Sequence, residues 1–332
     1  MNTKTFPILL RREFWEHKGG FFWAPIVAAG LFLLLTMMAI VVGEVAANRA
    51  AAAGKLRVGG EVMINGLDLS KLTSHMKPED AQHLSGGVDL SLLMASSWPF
   101  MALGFVVFFY CLGALYDERK DRSVLFWKSL PVSDSATVWS KVASATFVAP
   151  LVALAAGITA MFAFLLVVSL VVLIHSGNPM QLLWGPGSPL QVAGMLIASI
   201  PVHVVWALPT VGWLLFCSAW ARSKPFLWAV LIPVSAGLLV TWFDLMQSFE
   251  MQTFWFWKNV VARSLLSVFP GTWVDVAQFA NVKVDGPQDL YQLFSLKSMY
   301  STFLSPNMWI GAGAGIAMIL ASVRIRRWRD DS

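Results

Sequence analysis

The sequence predicts an all-α integral membrane protein with six transmembrane helices. Hydrophobic residues make up 57% of its 332 residues and charged residues only 13%, whereas soluble domains typically contain about 45–50% and 25%. Several apolar runs exceed the roughly 18 residues that a helix needs to cross a bilayer. We therefore expect one membrane domain over 21–332, preceded by a separate N-terminal helix over 1–20.

Residues 5–18 predict a helix that lies on the membrane surface. Apolar side chains recur every four residues and so share one face, and a tryptophan among them suits the headgroup level. Arg12 and Glu16 stand one helical turn apart and can pair. A solvated basic tail is the alternative interpretation. The side chains expected to rest in the membrane surface are Phe6, Leu10, Phe14 and Trp15.

Six apolar runs predict the spans. An Ala-rich stretch, 43–56, predicts that the first helix continues beyond the bilayer. The third run is longer than a straight span requires, so we expect this helix to tilt or to begin outside the membrane. Pro201 and Pro209 predict kinks in the fourth. The six runs are 21–42, 90–116, 138–174, 190–220, 226–243 and 308–323.

Basic residues predict the orientation. With six spans, both termini share a side with the second–third and fourth–fifth connections, and all of these segments carry Lys or Arg. The short third–fourth loop, 176–189, has neither. Short basic loops mark the cytoplasmic side, and long loops count little in this rule. We therefore expect both termini to be cytoplasmic and the long connections, about 44–89 and 244–306, to lie outside.

The second outside connection, about 244–306, is expected to help close the outer exit of the pathway, and so to act as a gate. It opens with an aromatic cluster, and the apolar run that follows, 260–269, is too short to span a bilayer. Re-entrant or interfacial helices at the outer surface fit this pattern. An ordinary soluble loop with a small core of its own is the alternative. The side chains expected to form the outer gate are Phe254, Trp255, Phe256 and Trp257.

The cytoplasmic connection 116–138 holds the densest mixed charge of the chain. An apolar patch within it predicts a short helix that stops at Pro131, which lacks an N–H. Ser133 then offers a cap to the third span, and Asp134 suits its first turn. An exposed apolar patch rimmed by charge indicates docking of a partner protein. The residues expected to dock it are Glu118, Arg119, Asp121, Arg122, Val124, Leu125, Phe126, Trp127 and Lys128.

No residue pattern indicates an enzyme, a cofactor site or a metal site. Cys111 and Cys217 both fall in apolar runs and predict core packing. The motif at 84–87, LSGG, resembles part of an ATPase signature, but no phosphate loop accompanies it, so it predicts a Gly-Gly turn before the second span. His203 is the one histidine deep in a span and has no nearby carboxylate. The scarcity of ionisable residues within the runs argues against an ion-coupled carrier.

The whole pattern resembles the permease subunits of ABC-2 type transporters. In that family an N-terminal elbow helix precedes six spans, a cytoplasmic coupling helix joins spans two and three, and short re-entrant helices lie between spans five and six. Here residues 7–18 match the elbow and 117–141 the coupling region. The local stretch Ser129-Leu130-Pro131-Val132-Ser133, followed by Lys141, is similar to the family's "lPvs…K".

The resemblance implies an exporter of the bacterial cytoplasmic (inner) membrane. ATP and Mg²⁺ would bind separate ATPase subunits that dock on the coupling helix, and the path would form between this chain and a second or related permease, in contact with membrane lipid and without nucleic acid. Drugs, peptides, lipids and ions are all compatible as substrates. The alternatives are a non-ABC channel or ion-coupled carrier, and a membrane-anchored sensor or assembly factor.

Overall fold

The computed structural model describes residues 5–53, 57–58, 61–62, 78–122, 132–246, 252–274, 286–292 and 294–328. Most of its described residues are helical, and turns and short connections join the helices. Two paired two-residue strands, Arg57–Val58 and Glu61–Val62, are also present. Within these described ranges, six helical stretches are long and apolar enough to cross a membrane, which confirms the predicted multi-pass helical class. The first to sixth spans are Gly19–Ala50, His83–Lys120, Asp134–Ile174, Pro189–Trp220, Pro225–Leu245 and Pro306–Trp328.

In the part of the chain that the structure describes, π-helical turns occur at four places among the α-helices. The α-helices are Thr5–Glu16, Ala24–Ala52, Pro78–Gly113, Tyr116–Lys120, Asp134–Ala143, Ala149–Ile174, Pro189–Trp220, Pro225–Leu245, Thr253–Phe256, Arg263–Leu266, Pro287–Gln292, Leu296–Ser301 and Pro306–Trp328. The π-helical turns are Gly19–Trp23, Ser144–Val148, Met180–Trp184 and Trp257–Ala262, and Thr302–Leu304 is a 3₁₀ turn.

The helix boundaries confirm some local predictions and correct one. The helix of the first span continues to Ala52, as its Ala-rich end predicts. The predicted turn at 84–87 is wrong, because these residues lie inside the helix Pro78–Gly113. Gly86 serves packing there: a Cβ at this position would lie 2.5 Å from the backbone of Gln288. The glycine therefore admits a second helix, Pro287–Gln292, against the start of the second span.

The fourth and sixth spans form the most extensive helix pair of the bundle. They meet at Gly212 and Gly315, where a Cβ on Gly212 would stand 2.4 Å from the carbonyl oxygen of Gly315. A Cβ on Gly315 would meet the carbonyl oxygen of Leu208 at the same distance. Small residues of this kind let two helix backbones approach closely in a membrane, where packing drives association.

Replacing Gly315 with alanine is expected to destabilise the protein by about 1–3 kcal/mol, because the added methyl group forces two backbones apart. Gly313→Ala is the matched control on the same helix, since a Cβ at Gly313 meets nothing within 4 Å. The measurement is the free energy of unfolding in detergent. Equal stability of the two variants would contradict the close contact.

The N-terminal helix and the last turns of the sixth span lie at the same end of the bundle, here called the termini end. The N-terminal helix packs against the start of the third span, and the last turns of the sixth span pack against the same segment. At the opposite end, Asp89 of the second span accepts hydrogen bonds from the backbone N–H and the hydroxyl of Ser188. These two bonds hold the start of the fourth span against the second.

Candidate functional site

Buried charged side chains from four separate segments converge at the termini end. Glu13 comes from the N-terminal helix, Glu118 from the end of the second span, Lys141 from the third span and Arg326 from the sixth. All four are at most 9% exposed. Charged residues are almost never buried to this degree unless they are paired. We call these four residues, with Tyr110 and Asp134, the charge network.

Lys141 stands at the centre of the network. Its Nζ lies 3.1 and 3.2 Å from the two carboxylate oxygens of Glu13 and donates to both. The same nitrogen lies 3.0 Å from Oε1 of Glu118. Tyr110 adds a further donor, its hydroxyl standing 2.8 Å from Oε2 of Glu13. One lysine thus joins the N-terminal helix to the connection that follows the second span.

Arg326 extends the network to the sixth span. Its Nη1 donates to Oε2 of Glu118, and its Nε lies 3.1 Å from Oδ1 of Asp134. Asp134 occupies the first turn of the third helix, where a negative charge is favoured by the helix dipole. The predicted cap is confirmed as well, since the side chain of Ser133 accepts from the backbone N–H of Ala136 at 3.2 Å.

The charge network holds its four segments rigidly, because breaking any one buried ion pair costs free energy. Taking charges out of water costs several kcal/mol per ion, and good pairing geometry is needed to offset that cost. Each of the four buried charges has at least one opposite partner within about 3 Å. Removing one partner leaves another charge buried and uncompensated, which typically costs 3–5 kcal/mol. The four segments are therefore fixed in position relative to one another.

A second contact fixes the start of the connection to the fourth span. Arg119 Nη2 donates to the carbonyl oxygens of Ser218 and Ala221, at 2.6 and 2.9 Å. These carbonyls end the fourth helix, where a cation is favoured. The hydroxyl oxygen of Ser218 accepts in return from the backbone N–H groups of Leu115 and Tyr116. The chain leaves the second span firmly attached to the fourth.

The predicted docking residues divide into three groups. Glu118 and Arg119 are used inside the chain, as described above, so Glu118 in particular does not stand at an exposed rim. Asp121 and Arg122 are exposed at the end of the described segment. Val124, Leu125, Phe126, Trp127 and Lys128 lie outside the described residues.

The N-terminal helix presents Leu9 and Glu13 as its buried face. The predicted membrane-facing residues flank that face: Phe6, Leu10 and Phe14 are half-buried, and Trp15 is 55% exposed. The predicted pair of Arg12 and Glu16 is confirmed, with Nη2 and Oε2 3.0 Å apart. This helix therefore docks through Leu9 and the carboxylate of Glu13, with Phe14 packed beside the core, while Trp15 remains largely exposed.

The predicted gate residues lie at the opposite end, on the segment that follows the fifth span. Phe254 and Trp255 are exposed, at 73% and 48%, and Phe256 is half-buried. Trp257 lies along the fifth span, where its Nε1 donates to the hydroxyl of Thr241 at 2.9 Å. The segment thus turns back into the bundle after leaving it.

Sequence reasoning did not select Glu13, Tyr110, Lys141 and Arg326 as a set. Glu13 carried a signal, because it stands one turn after Leu9 on a face that is otherwise apolar. Lys141 carried another, as a lone charge four residues into an apolar run. Arg326 cannot be distinguished by sequence from the neighbouring arginines of the basic C-terminal segment. Only spatial proximity connects them: Lys141 and Glu13 are 128 residues apart in the sequence, and Arg326 and Glu118 are 208 residues apart.

The described residues include no group of three or more His, Cys, Asp or Glu side chains that could hold a metal ion. Both cysteines are buried and unpaired with each other. Comparisons of this chain with protein-family models, with curated proteins and with solved structures found no match.

Proposed function

We propose that this chain is the permease subunit of an ATP-driven ABC exporter. Two copies, or this chain and a related permease, form the path across the membrane. Two separate ATPase subunits dock on the connection between the second and third spans, with the N-terminal helix beside it. The termini end faces the cytoplasm in this proposal, as the basic short connections predict.

The charge network is the observation that carries the proposal. An ATPase moves a permease only if the element it pushes is firmly attached to the spans. Glu118 begins the predicted docking connection, and through Lys141 and Arg326 it is bonded to the third and sixth spans. Asp134 ends the same connection and is bonded to Arg326. A push on this connection is therefore transmitted to the second, third and sixth spans. Through the bond between Lys141 and Glu13 it also reaches the N-terminal helix.

The position of the charges also bears on the alternative of an ion-coupled carrier. Such carriers place ionisable residues along the middle of their spans. Here the network occupies the termini end, with Glu118 and Arg326 each within three residues of the end of a span. This arrangement suits a structural joint between spans better than a relay of ions across the membrane.

Replacing both Phe126 and Trp127 with alanine tests the docking role. A buried aromatic anchor contributes on the order of 2 kcal/mol or more to an interface. We expect the double variant to lose co-purification with the ATPase subunit and to lose transport-stimulated ATP hydrolysis, while it still inserts into the membrane. Pull-down of the partner and ATPase activity of the purified complex are the two measurements.

Lys128→Ala provides the matched control, because a single rim charge contributes little to affinity. We expect this variant to assemble and hydrolyse ATP as the parent does. Normal assembly and normal coupled hydrolysis of the double variant would show that these aromatic residues do not dock the ATPase. In that case the proposal loses its coupling element.

A further inference from the structure

A buried arginine lies at the opposite end of the bundle, away from the charge network. Arg263 is 6% exposed and belongs to the segment that turns back after the fifth span. The hydroxyl of Thr210 in the fourth span donates to the backbone carbonyl of Arg263 at 2.8 Å and accepts from the backbone N–H of Ser267 at 2.9 Å. These bonds fix the arginine between the fourth and sixth spans.

The guanidinium of Arg263 is only partly satisfied. Its Nη1 donates to the carbonyl oxygen of Asn307 at 3.0 Å, and its Cζ lies 3.8 Å from the centre of the Trp206 ring. Its Nε and Nη2 are buried and have no hydrogen-bond partner, and no described carboxylate pairs with it. Burial lowers the pKa of Arg263 to about 10, so the group is still a cation at neutral pH. A buried cation without a counter-ion is costly unless another anion supplies the pair.

Arg263 also borders a cavity. Arg263 lines a space of about 390 Å³ between the fourth, fifth and sixth spans, which is otherwise mostly apolar. Nη2 stands against Gly311, another lining residue, where a Cβ would lie only 2.5 Å from that nitrogen. Ile310 and Trp255 line the same space and are 69% and 48% exposed. The cavity therefore opens to the outside of the helix bundle.

The dimensions of the cavity match one leaflet of a bilayer. Along the sixth span it extends from Asn307 to Met318, which is about 16 Å at 1.5 Å per residue. Half of a hydrocarbon core is about 15 Å thick. The guanidinium lies beside Asn307, the second residue of this helix, and hence at the start of the sixth span.

We propose that this cavity binds an anionic membrane lipid, with its charged headgroup on Arg263 and one acyl chain along the apolar wall. The anionic headgroup supplies the counter-ion that Arg263 lacks, and the apolar wall supplies a surface for hydrocarbon. A zwitterionic lipid brings its own positive charge to the headgroup and gains less from the arginine. This site does not depend on the proposed export function.

The test uses the purified full chain in detergent, with phosphatidylglycerol, phosphatidylethanolamine of the same chain length, and inorganic phosphate as the three probes. Native mass spectrometry counts bound lipid, and thermal unfolding reports stabilisation by each probe. We expect phosphatidylglycerol to bind more tightly than phosphatidylethanolamine. Arg263→Gln is expected to weaken phosphatidylglycerol binding about tenfold, the usual size of a lost charged hydrogen bond. Arg263→Lys keeps the charge and is expected to retain most of the affinity.

Two further variants keep the result decisive. Arg222→Gln removes an exposed arginine from the termini end and is expected to leave lipid binding unchanged. Ala314→Phe fills the cavity without touching the charge and is expected to abolish binding of phosphatidylglycerol, which remains informative if Arg263→Gln does not fold.

Three results would overturn the proposal. The first is unchanged phosphatidylglycerol binding by Arg263→Gln or by Ala314→Phe. The second is equal stabilisation by inorganic phosphate, which would indicate a site for a free anion. The third is loss of a dimer in Arg263→Gln with lipid binding intact, which would place the counter-ion of Arg263 on a second copy of the chain.

Discussion

Replacing Lys141 with methionine is expected to lower the free energy of unfolding by about 3–5 kcal/mol. Methionine keeps the length and the apolar stem of lysine, so the change isolates the ammonium group. Without that group, Glu13 loses its lysine counter-ion in a site where it is 1% exposed. The hydrogen bond from Tyr110 remains, but it does not neutralise the carboxylate. Unfolding of the detergent-solubilised protein with increasing denaturant measures the loss.

The double variant Lys141→Met with Glu13→Gln separates charge from shape. It removes the ammonium group together with the carboxylate that would be stranded, and Glu118 keeps its bond to Arg326. We expect the double variant to be more stable than the sum of the two single changes predicts. Lys120→Met is the matched control, because Lys120 is exposed at the same end of the bundle and surface changes usually stay within about 0.5 kcal/mol. A strictly additive double variant would show that the two residues do not interact.

Replacing Arg326 with methionine is also expected to lower the free energy of unfolding by about 3–5 kcal/mol. Arg326 is 7% exposed and uses two different nitrogens to hold Glu118 and Asp134. Its loss releases the sixth span from both ends of the connection. Arg326→Lys is expected to recover only part of the stability, since an ammonium group does not reproduce the planar fork of a guanidinium. Thermal unfolding of the three proteins gives the ranking.

The two carboxylate partners of Arg326 are expected to differ in their contribution. Glu118 is buried, whereas the side chain of Asp134 is 21% exposed and partly screened by water. Combining Arg326→Met with Glu118→Gln should therefore show a larger coupling energy than combining it with Asp134→Asn. Arg327→Met, at an exposed neighbouring position, serves as the control. A coupling energy near zero with Glu118 would contradict the buried pair.

The spans could be predicted from the sequence because hydropathy is a local property. A run of about 20 apolar residues can satisfy its backbone hydrogen bonds in lipid only as a helix, whatever the rest of the chain does. The cap at Ser133 and the pair of Arg12 with Glu16 are local as well, since each joins residues within four positions of one another. Such features depend on helix geometry alone.

The sequence places the start of the second span's helix too late in the chain, because only local signals can be used to predict it. Residues 78–89 are polar and contain two glycines, so no local signal favours a helix there. The structure nevertheless extends this helix back to Pro78. Gly86 packs closely on Gln288, and Asp89 is bonded to Ser188. Contacts with distant segments override the weak local preference of this stretch.

The role of Glu118 shows what only the tertiary structure decided. Its position in a charged connection predicts an exposed residue at a docking rim, and nothing in the neighbouring sequence indicates burial. The fold brings Lys141 and Arg326 to its carboxylate, and the pairing makes burial tolerable. The sequence by itself determined which segments are apolar enough to cross a membrane and where the charges stand along the chain. The arrangement of the spans decided which charges meet, because ion pairing depends on distance in space, and here the partners are as far as 208 residues apart.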